Sequence, residues 1–250
     1  TNAMLFYPER GQSRTPEQLG MAYEPIWVTA EDGVRTQGWW IPAAETSSVV
    51  VMFHGNAGTI SDRLEFAQML RGLGATVYMA EYRGYGDSEG EPSEQGLYDD
   101  ATAVLAEARR RANGAPVVVF GRSLGGAVAI DLAARETVDG LVAESTFTSL
   151  PDMAGVTSIP FASRLVAYEF ASLAKIAAIS APILNIHGDA DELVPFHMGE
   201  QLHRAAGRSS STTFHRVIGG NHNDTWRIGG SSYWEVWRTY LTAIASTFAH

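Results

Sequence analysis

The stretch Pro116-Val117-Val118-Val119-Phe120-Gly121-Arg122-Ser123-Leu124-Gly125-Gly126 decides how the chain is read. Its first half is apolar and rich in β-branched residues, as expected of a strand buried on both faces near the centre of a parallel sheet. Its second half fits G-x-S-x-G and runs into a small-residue helical pattern that continues through Ala134. A sharp strand-to-helix turn of this kind lifts a serine oxygen above the carboxyl edge of the sheet. Glycines are required where neighbouring backbone comes too close for a Cβ. The N-terminus of the new helix also favours developing negative charge. Ser123 is therefore the predicted nucleophile, and the backbone N–H of Leu124 a predicted oxyanion donor.

Outward from this stretch, apolar β-rich runs alternate with helical patterns, the signature of a largely parallel sheet covered on both faces. Segments from about Ala22 to Thr29 and Arg35 to Ile41 flank Glu31-Asp32-Gly33 and predict a leading hairpin. Further strands are expected at Val49 to Phe53, Ala75 to Glu81, Gly140 to Glu144, Pro182 to Ile186 and Thr213 to Ile218. Helices are expected at Ser61 to Leu73, Ser93 to Ala112, His197 to Ala206 and Tyr233 to Phe248. Residues 145–181 carry Pro151, Pro160 and a mixed helical pattern, too long for a simple loop and too short for a domain. They predict a small lid whose Phe147, Leu150, Phe161 and Tyr168 line an acyl pocket or pack the lid onto the sheet. Leu165 and Phe170 belong to the same apolar set. The expected organisation is one domain over residues 1–250 with this single insertion.

Three loops follow predicted strands and carry the remaining chemistry. His54-Gly55-Asn56-Ala57-Gly58 supplies a second oxyanion donor, the backbone N–H of Asn56. His54 itself reads as a residue that holds its loop. His187-Gly188-Asp189-Ala190-Asp191 offers two acids. Asp191 has the spacing that lets the loop turn back toward the nucleophile, and Asp189 reads as a turn-stabilising aspartate. Glu144, at the end of another strand, is a third candidate. Gly219-Gly220-Asn221-His222 swings a histidine over the sheet edge after the last strand. The order Ser123, Asp191, His222 is nucleophile, acid, base, unlike the order in chymotrypsin or subtilisin.

Composition excludes several other chemistries. With 18 basic and 28 acidic residues the chain carries a net charge of −10, which argues against nucleic acid as a partner. There are no cysteines, so disulfides, thiolate catalysis and cysteine-based zinc sites are all excluded. No apolar run is long enough to span a bilayer. Thr1-Asn2-Ala3 reads as a cloning scar. The apolar Leu5-Phe6-Tyr7-Pro8 that follows raises the expectation of an upstream anchor, so membrane association is expected only through such a segment, and cytoplasmic and anchored locations both stay open.

Over nearly its whole length the chain resembles the α/β-hydrolase superfamily, and within it the BEM46-like branch of serine hydrolases. The matching stretches are Leu5 to Pro8, His54 to Gly58, Tyr82 to Ser88, Gly121 to Gly126, Glu144 to Leu150, the Asp191 loop and Gly220 to Asp224. The resemblance implies the α/β-hydrolase fold and a Ser123–Asp191–His222 triad. It implies relatives that include esterases and protein depalmitoylases, often with an N-terminal anchor. Asn221 departs from the small residue common among relatives. The expected reaction is hydrolysis of a small-molecule carboxylic ester or thioester through an acyl-enzyme, with neither metal nor organic cofactor. A peptidase or amidase on the same residues is the rival within enzymes, and a small-molecule binding protein on a hydrolase scaffold the rival outside them.

Overall fold

The computed structural model describes residues 5–156 and 168–248. The strands are β1 (Tyr7–Pro8), β2 (Glu24–Thr29), β3 (Arg35–Ile41), β4 (Ser48–Phe53), β5 (Ala57–Gly58), β6 (Ala75–Ala80), β7 (Val117–Arg122), β8 (Gly140–Glu144), β9 (Ile183–Gly188) and β10 (Thr212–Val217). Eight of them form one sheet in the order β10-β9-β8-β7-β4-β6-β3-β2. From β6 to β10 every neighbouring pair is parallel, while the β2–β3 hairpin joins β6 antiparallel at one edge. β1 and β5 pair in a separate two-stranded ribbon.

The helices are α1 (Leu64–Gly72), α2 (Glu94–Ala112), α3 (Leu124–Arg135), α4 (Leu150–Val156), α5 (Ser172–Ile176), α6 (Phe196–Ala205), α7 (Thr225–Ile228) and α8 (Gly230–Ser246). They cover both faces of the sheet. Val49, Val51, Val117 and Val119 point into a core shared with α2 and α3, while Val50, Met52, Val118 and Phe120 point into one shared with α1 and α8. This is the period of two expected of strands buried on both sides. Leu5 and Phe6 belong to the first core, where Phe6 meets Tyr168 edge-on at 5.4 Å. Among the described residues no helix is long and apolar enough to cross a membrane.

Most predicted elements lie within two or three residues of those observed. The helix expected from Ser61 begins as a 3-10 turn at Ile60–Arg63, closed by a capping box in which the Thr59 N–H donates to Asp62 at 2.8 Å. The last helix starts earlier than its apolar pattern, at Gly230. α7 was not expected; four residues are too few to show a period. Of the proposed lid, the structure describes α4, α5 and their flanks; residues 157–167, with Phe161 and Leu165, lie outside the described residues.

A close backbone approach holds the centre of the sheet to α3. A Cβ on Gly125 would stand 2.1 Å from the Phe53 carbonyl oxygen and 2.6 Å from that of His54. Gly125→Ala is therefore expected to destabilise the protein by about 3 kcal/mol or more. Gly207→Ala, where a Cβ meets nothing within 4 Å, is expected to stay within ~0.5 kcal/mol of wild type. Urea midpoints of the two variants check this; equal midpoints would show that α3 can withdraw from β4.

Candidate active site

Ser123 sits between β7 and α3 with φ 55° and ψ −121°. A non-glycine residue held at positive φ costs about 1–3 kcal/mol and persists only where its surroundings enforce it. Here they do. The Ser123 N–H donates to the Glu144 carbonyl at 3.0 Å, and its own carbonyl accepts from the Gly126 N–H at 2.9 Å and the Thr146 hydroxyl at 2.7 Å. Leu124 is the first residue of α3, whose leading N–H groups have no acceptor within the helix.

Asp191 and His222 come from the loops after β9 and β10. These loops meet through a hydrogen bond from the Ala190 N–H to the Gly220 carbonyl at 3.0 Å. His222 Nδ1 lies 2.9 Å from Asp191 Oδ2 and 3.1 Å from Oδ1. The carboxylate also accepts the N–H groups of Leu193 at 2.9 Å and Val194 at 2.8 Å. His187 Nε2 stands 3.5 Å from Asp191 Oδ2 and 2.9 Å from the Val194 carbonyl. Burial alone would raise the Asp191 carboxyl; hydrogen bonds from His187 and His222, the His222 charge and the Val194 N–H outweigh it and hold the group well below the usual carboxylate range. Asn221 shapes the histidine loop, since its Oδ1 accepts the His222 N–H at 2.6 Å and the Glu192 N–H at 3.3 Å.

The rival acids are committed elsewhere. Asp189 accepts the Gly219 N–H at 2.7 Å and pairs with Arg216 at 2.7 Å. Glu144 is fully buried, with Arg122 at 2.9 Å, the Tyr233 hydroxyl at 2.8 Å and the Thr225 hydroxyl all donating to it. His54 faces the Gly55 carbonyl through Nδ1 and the Glu81 carboxylate through Nε2, each at 2.6 Å, and so holds its loop. The loop's next residue, Gly55, lies so near Ser123 that a Cβ there would be 3.6 Å from the serine Cβ. Asn56 is fixed by the Tyr85 hydroxyl, which donates to its carbonyl at 2.8 Å and to its Oδ1 at 3.0 Å.

One cavity of about 720 Å³ brings Ser123, His222, Asn56, Phe147 and Leu150 together. Tyr168 is not among the described residues that line this cavity; its partly buried ring packs against Phe6 and Phe170. Phe170 is fully buried away from the opening. Sequence reasoning missed the opposite wall, made by Arg63, Phe66, Arg122, Trp226 and Arg227. A signal existed for part of it: Arg122 is the variable residue of the G-x-S-x-G stretch. Trp226 and Arg227 were hidden by the brevity of α7.

The eight-stranded sheet and its three edge loops define a hydrolase scaffold, and comparison with known proteins places the chain within one family. The family model described as serine aminopeptidase, S33, matches residues 44–176. The alpha/beta hydrolase domain-containing protein WAV2 of Arabidopsis thaliana is 38% identical, over 92% of this chain and 82% of its own length. YfhR of Escherichia coli K12 is 34% identical, over 73% of this chain and 68% of its own. The esterase Pf2001 of Pyrococcus furiosus superposes with a TM-score of 0.78 at 20% identity, covering 95% of this chain and 98% of that one. The chain belongs to the α/β-hydrolase family.

Because the Asp191 carboxyl has a lower pKa folded than its unfolded value of about 3.9, its ionised form adds stability at neutral pH. That contribution fades as pH falls below about 4 and is gone beneath the folded value. Asp191→Asn is expected to lower the urea midpoint at neutral pH, with the gap from wild type narrowing in acid. A gap that stays constant down to the lowest pH at which the fold persists would show that the carboxylate is not held charged.

Proposed function

We propose that the protein is a serine hydrolase that cleaves carboxylic esters or thioesters. The observation that carries this reading is the hydrogen bond from Asp191 to His222, which lines one cavity together with Ser123 at its enforced positive φ. Ser123 Oγ attacks the acyl carbonyl while His222 takes its proton. Asp191 keeps the imidazole in the tautomer with Nδ1–H and stabilises the imidazolium. The N–H groups of Asn56 and Leu124 receive the negative charge that develops on the carbonyl oxygen. The alcohol or thiol leaves with the proton from His222, and water then attacks the acyl-enzyme by the same path in reverse.

Phe147, Leu150 and Met153, all from the core on one face of the sheet, give the cavity an apolar surface suited to an acyl chain. A peptidase reading draws on the description of the matching family model and on the acylaminoacyl peptidase of Pyrococcus horikoshii, which superposes with a TM-score of 0.66. This chain covers only 41% of that enzyme, so the likeness leaves more than half of the peptidase unmatched.

A fluorophosphonate probe is expected to label the intact protein once, with labelling abolished in Ser123→Ala and slowed about 1,000-fold or more in His222→Ala. Mass measurement of the labelled chain checks this, and equal labelling of wild type and Ser123→Ala would end the proposal. Among para-nitrophenyl esters, kcat/KM is expected to rise about tenfold or more from acetyl to hexanoyl, since each buried methylene contributes ~0.8 kcal/mol. A flat or falling series would remove the apolar acyl site while leaving the nucleophile in place.

A further inference from the structure

The wall facing the apolar end of the cavity has a chemistry that simple ester hydrolysis does not need. Arg122 holds its guanidinium carbon 5.5 Å from the centre of the Phe66 ring, and Arg227 holds its own 4.8 Å from that of Trp226. The two rings meet edge to face at 6.1 Å, so both cations rest on one aromatic platform. Arg63 approaches from the loop after β5, donating to the carbonyls of Ala57 at 2.6 Å and Thr59 at 3.1 Å. Those carbonyls use its donors without neutralising it.

The carboxylates around this wall are already engaged. Glu65 takes both oxygens to Arg14, at 2.7 and 3.0 Å. Asp62 accepts the Thr59 N–H at 2.8 Å and lies 3.3 Å from Arg63. Glu144 takes Arg122 from behind at 2.9 Å. Arg227 has no ion-pair partner within 4 Å among the described residues. Of the charged residues that line the cavity on this side, three are arginines (63, 122, 227) and two are carboxylates (62, 65), with Glu81 and Glu144 lying behind them, in a chain whose net charge is −10. In addition, Arg122 Nε is buried with no hydrogen-bond partner. Burial pushes the Arg63 guanidinium below its usual value, and the Arg122 charge pushes the same way against Asp62 and Glu81. A negative charge placed between them would reverse that repulsion.

We infer that this wall is a subsite for an anionic group, a carboxylate or phosphate, carried on the leaving-group side of the ester or thioester. The side follows from the fold: Phe147, Leu150 and Met153 belong to the core on one face of the sheet and Phe66 and Trp226 to the core on the other, so with the acyl chain against the first set the alcohol or thiol lies toward the arginines. Stacked guanidinium groups offer edge N–H pairs in the fork geometry that matches such anions. This rests on the ester-hydrolase reading above and adds the substrate class to it.

The test compares para-acetoxybenzoate with its neutral isostere para-acetoxybenzamide, each kcat/KM being divided by the ester's own hydroxide-catalysed rate. Wild type is expected to favour the anion about tenfold. That preference should fall at least threefold in Arg227→Gln and in about 0.5 M salt, which screens the partly exposed cations. A ratio at or below one, or a ratio unmoved by both Arg227→Gln and Arg63→Gln, would overturn the inference. So would a stronger preference for a succinate half-ester of para-nitrophenol, which carries its carboxylate on the acyl side. Binding of para-hydroxybenzoate and para-hydroxybenzamide to the Ser123→Ala protein, by calorimetry, reads the subsite without chemistry. Tighter binding of the anion that is lost on adding Arg227→Gln supports the subsite, and equal binding of the two refutes it. Should Ser123 escape labelling and the neutral ester survive, the hydrolase reading fails, and the calorimetry still decides the subsite.

Discussion

The site depends on how closely three stretches of backbone can approach at the carboxyl edge of the sheet. Gly121 and Gly125 face each other across the β7–α3 turn, where a Cβ on Gly121 would stand 1.9 Å from the Gly125 carbonyl oxygen. Gly125 in turn lies against the end of β4. With no side chain between them, the turn at Ser123 and the loop from His54 to Gly58 become neighbours. The proposed chemistry needs that adjacency, because a serine oxygen and two backbone donors must surround one carbonyl. Close-packed backbone sets such distances more firmly than side chains can, since it has no rotamers to relax into.

Beneath this surface lies a layer of buried charge. Arg122 and Glu144 are register partners at the ends of β7 and β8, and Glu144 also receives the hydroxyls of Thr225 and Tyr233 from α7 and α8. A buried ion pair is weak evidence of added stability, because desolvation offsets much of the attraction. Its effect here is geometric. It ties the strand that carries Ser123 to the short helix that follows His222, so the two loops cannot drift apart without exposing an unpaired carboxylate. On the far side, His54 and Glu81 fix the loop of Asn56 in a comparable way.

Much of this was legible in the sequence because each signal was local. The strands show as short apolar runs, the turn at Ser123 as glycines at fixed offsets, and the histidine loop as a glycine pair after the last strand. What required three dimensions was choice among neighbours. Asp189 and Asp191 differ by two positions in one loop. They are separated by the β9–β10 pairing, which gives Asp189 to Arg216 and leaves Asp191 facing His222. Tyr168 and Leu150 belong to the same lid stretch, yet one meets Phe6 and the other the cavity. The arginine wall was invisible for a related reason: its three arginines come from three separate stretches of the chain.

The distribution of charge then separates two tasks within one opening. A chain with a net charge of −10 repels anions at long range, yet screening confines that field to roughly 8–10 Å at ordinary ionic strength. Inside the cavity the nearest charges dominate, and there Arg63, Arg122 and Arg227 outnumber the carboxylates not already paired. Low-dielectric walls such as Phe66 and Trp226 strengthen their effect. An anion held there would be oriented relative to Ser123 by fixed guanidinium groups while its acyl chain lay against Phe147 and Leu150. Selectivity of this kind comes from local pairing over a few ångströms and is compatible with an acidic exterior.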